Sequence, residues 1–295
     1  MSLDGVVVVD KQSAATSHQV VGRLRRLLGM KKIGHAGTLD PMATGVLILG
    51  VGRATRLLGH LALHDKRYLA TVRLGERSDS DDADGLVEVV ADASSLTRED
   101  VERACEPLRG DILQVPSTVS AIKVGGKRAY ALAREGKPVE LQPRAVHVSR
   151  LDVLAVRADG PRLDVDIDVE CSSGTYIRAI ARDLGGALGV GGHLTALRRT
   201  RIGNYDISDA VVLGDEAPRL MTMADAARRS FPVLELDEAQ TRDVRYGRAL
   251  DLAVQPPVTG LLSPGGQLLA LYAPDGDRAV PVTVLVGPDD EIALG

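Results

Sequence analysis

The chain has no tryptophan, one phenylalanine and six tyrosines among its 295 residues. A core must therefore be built from Val, Leu, Ile and Ala, and any tyrosine in a polar setting is informative. There are two cysteines, Cys105 and Cys171, and no C-x-x-C pair. That excludes a disulfide framework and leaves zinc without a thiolate cluster. No apolar run approaches the roughly 18 residues of a membrane helix. The apolar stretch nearest the start, Val6 to Val9, lies between Asp4 and Asp10 with no basic leader, so it does not read as a signal peptide. These absences predict a cytoplasmic protein. The acidic run Glu76 to Gly85 fails as a calcium loop: with Gly85 at loop position 6, Ser80 falls first and Ala91 twelfth, where carboxylates are required. His60 and His64 have metal-ligand spacing but no Glu or Cys beside them, and read better as solvated helix histidines.

What is present is unevenly distributed. Hydrophobic residues make up 44% and charged residues 26%, the balance of a globular protein. The length suits one large domain or two. The net charge of −4 speaks against a nucleic-acid partner. Its distribution points the other way. Residues 11–60 carry eight Lys or Arg and one acid, residues 120–150 seven and two, and residues 171–205 five and one. Together these 116 residues hold +16, and the other 179 hold −20. Such segregation is a candidate footprint for a polyanion, provided the blocks meet in space.

The apolar spacing predicts a first strand over Gly5 to Asp10, then a helix capped by Ser17, running to about Leu28 and ended by Gly29. Val46 to Val51 reads as a strand, Arg53 to Leu61 as a short helix, and Lys66 to Leu74 as an alternating strand. Thr97 caps a helix through roughly Leu108. Leu151 to Val156 and Leu163 to Val169 alternate as antiparallel strands, and a helix ends at about Leu188. Ser208 to Arg229 reads as helical, broken at Pro218. From Phe231 onward, turn signals separate Val- and Leu-rich runs, as in a small β-barrel.

One stretch concentrates backbone constraint: Gly34-His35-Ala36-Gly37-Thr38-Leu39-Asp40-Pro41-Met42-Ala43-Thr44-Gly45. Its glycines mark sharp turns or close approach, and Pro41 disfavours helix at Asp40. No other acid lies between Lys11 and His60. An isolated Asp-Pro is usually an ordinary turn. Here the whole stretch resembles, without a gap, the catalytic motif of the TruB family of pseudouridine synthases, Gly-His-x-Gly-Thr-Leu-Asp-Pro-x-Ala-Thr-Gly. Further matches are Lys66-Arg67-Tyr68, Cys171-Ser172-Ser173-Gly174-Thr175-Tyr176-Ile177-Arg178 and Gly191 to Arg199, which includes Leu197. The turn Asp10-Lys11-Gln12-Ser13-Ala14-Ala15-Thr16-Ser17 keeps the family's ends, but has Gln12 and Ala14 at its Pro and Gly positions, so a differently made turn is expected. Pro116 to Gly136 resembles the family's basic insertion that clamps the tRNA T-loop. The acidic run resembles a family loop near RNA, with Ser78 and Ser80 in Thr places; a solvated turn explains it equally well.

The resemblance is strong from Gly5 to about Ile207. It implies an α+β fold, with a mixed, largely antiparallel sheet, flanking helices and a small C-terminal β-barrel-like PUA-type domain. The implied domains are a catalytic one over 1–230, with the T-loop insertion at about 110–150, and an RNA-binding one over 231–295. Implied catalytic residues are Asp40 as nucleophile, Arg178 as the cation that keeps it ionised, and Tyr176 as the proton-handling or base-contacting group. Implied substrate contacts are Tyr68 as stacking platform, His35 in place of lost stacking in the RNA, Leu197 closing the pocket, and Lys11, Lys123, Lys127 and Arg128. The implied activity is conversion of uridine to pseudouridine at position 55 of the tRNA T-loop, with the base flipped out. No redox cofactor, nucleotide or metal is expected, because isomerisation gains and loses no atom. The expected partner is tRNA, with no guide RNA, membrane or obligatory protein partner, and a monomer as the default state. Two alternatives stand beside this. One is a dyskerin-like, guide-dependent synthase, disfavoured by the T-loop insertion and the short termini. The other is a non-catalytic RNA-binding or tRNA-folding protein, disfavoured by the intact Asp40, Tyr68, Tyr176 and Arg178.

Overall fold

The computed structural model describes residues 3–117, 123–124, 127–128 and 141–291. In chain order the strands are β1 (Gly5–Lys11), β2 (Ile33–Ala36), β3 (Thr44–Val51), β4 (Lys66–Leu74), β5 (Glu76–Ser78), β6 (Val87–Val89), β7 (Gly110–Gln114), β8 (Lys123–Val124), β9 (Lys127–Arg128), β10 (Arg144–Asp159), β11 (Arg162–Cys171), β12 (Gly192–Ile202) and β13 (Tyr205–Asp206). A mixed nine-stranded sheet follows the order β1-β3-β12-β4-β11-β10-β7, with β2 on β3 and β13 on β12. Every pairing is antiparallel except β12 with β3, where Arg198 lies opposite Thr44 and Arg199 opposite Gly45. This parallel junction brings β12 against the point where the chain leaves the Asp40 loop.

The alternation of β4 explains its two faces. Tyr68, Ala70, Val72 and Leu74 enter the core, while Arg67, Thr71 and Arg73 face outward. Across the outer face Arg67 bonds Asp168, Thr71 bonds Asp166 and Arg73 bonds Asp164, all from β11. These cross-strand pairs fix register. The helices Ser17–Leu28, Arg98–Cys105 and Ile177–Ala187 cover the inner face through Leu24, Val101, Ile180 and Leu184. The first helix is capped by Thr16, whose side chain accepts from Gln19, and Ser17 is thereby released for another task.

The C-terminal region departs from its expected form. Strands β14 (Val233–Glu235), β15 (Thr259–Leu262), β16 (Leu268–Asp275) and β17 (Arg278–Val284) form an open four-stranded sheet, with β14 parallel to β15. The described residues close no barrel. This sheet shares a second core with the outer region of the large sheet: Leu261, Leu271 and Tyr272 belong to one cluster with Val8, Ile48 and Leu57. The segment expected to be helical before it is mostly irregular. Val211 and Met221 bond Val8 and Val6 in β1, which covers that sheet edge; a short 3₁₀ turn at Ile207–Asp209 and the α-helix Met223–Ser230 are the helical parts. Backbone pairing with an open edge outcompetes helix propensity there, and Pro218 adds to the effect.

Gly45 shows how closely the junction is packed. Its φ is +102°, and a Cβ there would lie 2.1 Å from the Arg199 carbonyl oxygen. Gly45→Ala is expected to lower the free energy of unfolding by at least about 2 kcal/mol, read as a reduced denaturant midpoint. An unchanged midpoint would show that β3 and β12 can part at no cost.

Candidate active site

The Asp40 loop is held from below by three buried polar side chains. Arg199, on β12, donates to the carbonyls of Gly37 at 3.0 Å, Thr38 at 3.5 Å and Val46 at 2.8 Å, so it grips both ends of the loop. Ser17, at the start of the first helix, accepts from Leu39 N–H at 2.9 Å and donates to Leu39 O at 3.1 Å. Lys11, at the end of β1, donates to Pro41 O at 3.1 Å and to Ala15 O at 2.6 Å. The expected departure in the first turn takes a specific form. Ala14 adopts a left-handed φ of 63°, a conformation glycine would take without the cost of about 1–2 kcal/mol.

Asp40 meets Arg178 in a two-point contact, Nε to Oδ2 at 3.1 Å and Nη2 to Oδ1 at 3.3 Å. Arg178 sits in the first turn of Ile177–Ala187 and is only 4% exposed. Its other edge donates to Asp82 Oδ2 at 3.0 Å and to Ser80 O at 2.9 Å. Asp82 is 3% exposed and accepts at its second oxygen from Ser80 Oγ at 2.6 Å and Asp84 N–H at 3.1 Å. The acidic run is thus no solvated turn. Asp82 comes from it as a residue the sequence reading did not single out. The signal was present in its place within a matched motif, but neighbouring acids of the same run masked it. Gln114 was also missed. Its amide accepts from Tyr176 N–H at 2.8 Å and donates to Tyr176 O at 3.1 Å, locking the backbone where the helix begins.

These elements enclose a cleft of about 300 Å³ lined by Asp40, Tyr68, Tyr176, Arg178 and Leu197, with Lys66 and Arg199 deeper in the wall. Five of the expected site residues are therefore brought together. Lys11 lies under the loop and is turned to main-chain carbonyls. His35, on β2, stands outside the cleft wall, edge-on to His18 with ring centroids 5.5 Å apart. The backbone of Lys123, Lys127 and Arg128 forms the β8–β9 hairpin, and most of the expected insertion lies outside the described residues. His60 and His64 are half-buried against Phe231 rather than solvated. Among the described residues no group of three His, Cys, Asp or Glu could hold a metal, and no helix is long and apolar enough to cross a membrane.

Burial lifts the Asp40 carboxyl above its ordinary range; Arg178 pulls it back down, the Asp82 and Asp84 charges push it up, and Lys11 lowers it. Burial raises the Tyr68 phenol, which favours its neutral form. His35 is lowered by burial, then by His18 and Arg199, which favours a neutral ring.

Comparisons with known proteins identify the family. The TruB family pseudouridylate synthase N-terminal domain matches residues 25–177, over half of the chain. The chain belongs to the TruB family of pseudouridine synthases. It is an enzyme, an isomerase of the tRNA pseudouridine synthase class. Two further models match beyond that domain: the tRNA pseudouridylate synthase B C-terminal domain over 178–238, and the tRNA pseudouridine synthase II C-terminal domain over 231–286. A tRNA pseudouridine synthase B of Cutibacterium acnes is 56% identical, covering 93% of this chain and 94% of its own. One of Mycobacteroides abscessus is 52% identical over 97% of each. Among solved structures, a Cbf5–Nop10–Gar1 complex matches with a TM-score of 0.72 at 23% identity, covering 97% of this chain and 86% of that one, which shows a shared fold.

Because Arg178 is the largest influence holding Asp40 down, Arg178→Met is expected to move its titration to higher pH. Carboxyl ¹³C NMR, with Asp40→Asn to assign the resonance, should show the wild-type midpoint above that of an ordinary aspartate and the variant midpoint higher still. A midpoint unmoved by the substitution would mean that the ion pair does not form in solution.

Proposed function

We propose that this TruB-family enzyme converts uridine to pseudouridine at position 55 of the tRNA T-loop, without a guide RNA, using Asp40 as the nucleophile. The observation that carries the reading is one carboxylate, paired to a buried arginine, opening into a cleft of about 300 Å³ between an aromatic ring and a leucine. That volume is at the small end of ligand pockets and suits one nucleoside flipped out of its loop. The curated relatives are named tRNA pseudouridine synthase B, which supports tRNA as the substrate.

The chemistry follows from the arrangement. A carboxylate near C1′ stabilises the positive charge that develops as the glycosidic bond breaks, as in retaining glycoside hydrolysis. Arg178 keeps Asp40 ionised, and Asp82 fixes the guanidinium that does so. Tyr68 offers its ring to the uracil, a stack worth about 1–3 kcal/mol. Leu197 closes the cleft, and Tyr176 contacts the base or moves its proton at C5. His35 takes the place the flipped base leaves. Lys11 serves by holding the loop. No cofactor, nucleotide or metal enters, since the product is an isomer.

Residues 1–230 form the catalytic domain in this reading. Lys123, Lys127 and Arg128 of the insertion at about 110–150 meet T-loop phosphates. Residues 231–295 add RNA affinity. Arg245 is held internally by the carbonyls of Gly287, Pro288 and Asp290, and Arg248 is paired with Asp243, so Arg242 and the exposed Tyr246 are the groups left to face RNA. The enzyme acts in the cytoplasm as a monomer, with no protein partner.

The test is tritium release from C5-labelled uridine in a T-arm hairpin, in EDTA, with no guide RNA and no other protein. Release is expected from the wild type. None is expected from Asp40→Asn beyond a wild-type contamination control, with hairpin affinity within a few-fold. Turnover by that variant would end the nucleophile assignment, and a requirement for guide RNA or a second protein would end the guide-independent reading.

A further inference from the structure

The cleft holds more cationic charge than Asp40 uses. Lys66 and Arg199 are 7% and 1% exposed, and both line the cleft. No ion pair joins either to a carboxylate among the described residues. Lys66 Nζ donates to the carbonyls of Ala62 at 2.8 Å and His64 at 2.5 Å. Arg199 bonds the three loop carbonyls described above, and a Cβ on Gly37 would touch Arg199 Nη1 and Lys66 Cε at 3.6 and 3.9 Å. The two cations therefore sit side by side under the nucleophile loop. Burial and the Arg199 charge together pull the Lys66 ammonium down to about 8. Two adjacent buried cations with no carboxylate in ion-pair contact are costly, unless a negative charge arrives during the reaction.

The proposed isomerisation, on which this inference rests, supplies one. When C1′–N1 breaks, its electron pair leaves with the uracil, and the ring becomes an anion with charge on N1, O2 and O4. This is so whether Asp40 bonds to C1′ or accepts the C2′ proton to give a glycal. In either case Asp40 loses its charge and the ring gains one. Reattachment through C5, loss of the C5 proton and protonation of N1 return the ring to neutrality. Arg178 serves the carboxylate before cleavage; a second cation is needed for the ring after it.

We propose that Lys66 is a further catalytic residue: its third N–H, beyond those given to Ala62 and His64, binds a uracil oxygen and stabilises the ring anion when the glycosidic bond breaks. Arg199 is engaged by the carbonyls of Gly37, Thr38 and Val46, and leaves the mobile charge to Lys66. A lysine ammonium has three donors, so the contact needs no rearrangement of the two already made.

Leaving-group dependence separates this role from a structural one. Single-turnover rates are compared for wild type, Lys66→Met and Lys66→Arg on T-arm hairpins carrying uridine or 5-fluorouridine at the target, following loss of the N-glycoside after digestion to nucleosides by liquid chromatography with mass spectrometry, which separates the isomers. Fluorine withdraws electrons and stabilises the ring anion unaided. Lys66→Met is expected to slow uridine about 10²- to 10³-fold, the effect of losing one oxyanion donor. It should slow 5-fluorouridine at least tenfold less, with hairpin affinity nearly unchanged, and Lys66→Arg should recover part of the uridine rate. Equal slowing with both bases, no slowing, or loss of hairpin binding in both variants would assign Lys66 to holding the Ala62–His64 turn and overturn the proposal. Wild-type conversion of uridine in the same assay tests the pseudouridine reading on its own, so the two failures are distinguishable.

Discussion

The structure depends on one guanidinium shared by two carboxylates. Arg178 is buried, and each of its edges faces an acid: Asp40 from the glycine-rich loop and Asp82 from the acidic run. A buried arginine with one partner removed is strongly destabilising, of order 3–5 kcal/mol. The pairing therefore ties three distant parts of the chain to one point. The loop cannot move without exposing the guanidinium, and the acidic run cannot become a solvated turn. Around this centre the remaining polar contacts reduce freedom further: Ser17, Lys11 and Arg199 fix the loop backbone, and Gln114 fixes Tyr176. The carboxylate is thus positioned before substrate arrives, which is the condition for electrostatic catalysis.

Much of this was legible in the sequence. The period-two pattern of β4, the glycine after the first helix and the Thr97 capping box all appear in the structure. Matched motifs brought Asp40, Tyr68, Tyr176, Arg178 and Leu197 to one cleft. What failed did so for identifiable reasons. The cap fell one residue early because Thr16 and Ser17 are equally good caps locally, and Ser17 is claimed by Leu39 in the tertiary structure. Ala210 to Met221 is non-helical because both its ends bond the open edge of β1, which no local pattern reveals. The C-terminal strands gave the right periodicity, but closure of a barrel is a matter of pairing, and β14 joins the sheet in parallel. Asp82 looked like one solvated acid among several because its partner lies nearly a hundred residues away.

The charge blocks deserve the same physical reading. Several of their arginines are neutralised within the fold: Arg198 by Asp10, Arg201 by Glu170, Arg182 by Asp81 and Asp183, and Arg53 by Asp4 and Asp290. The charge available to a polyanion is accordingly smaller than the sequence sum. Arg26, Lys31 and Lys32 remain exposed near the end of the first helix. The shared second core likewise couples the C-terminal sheet to the large sheet through Leu261, Tyr272 and Ile48, so cutting the chain at residue 230 would also cost fold stability.

Catalysis as proposed requires Asp40 to face C1′ of a uridine flipped into this cleft. The most direct measurement is a crystal structure of the Asp40→Asn protein bound to a uridine-containing T-arm hairpin. The target C1′ is expected within about 3.5 Å of the side chain at position 40, with the uracil ring against Tyr68. A target uridine still stacked in its loop, or a hairpin bound with the cleft empty, would contradict it.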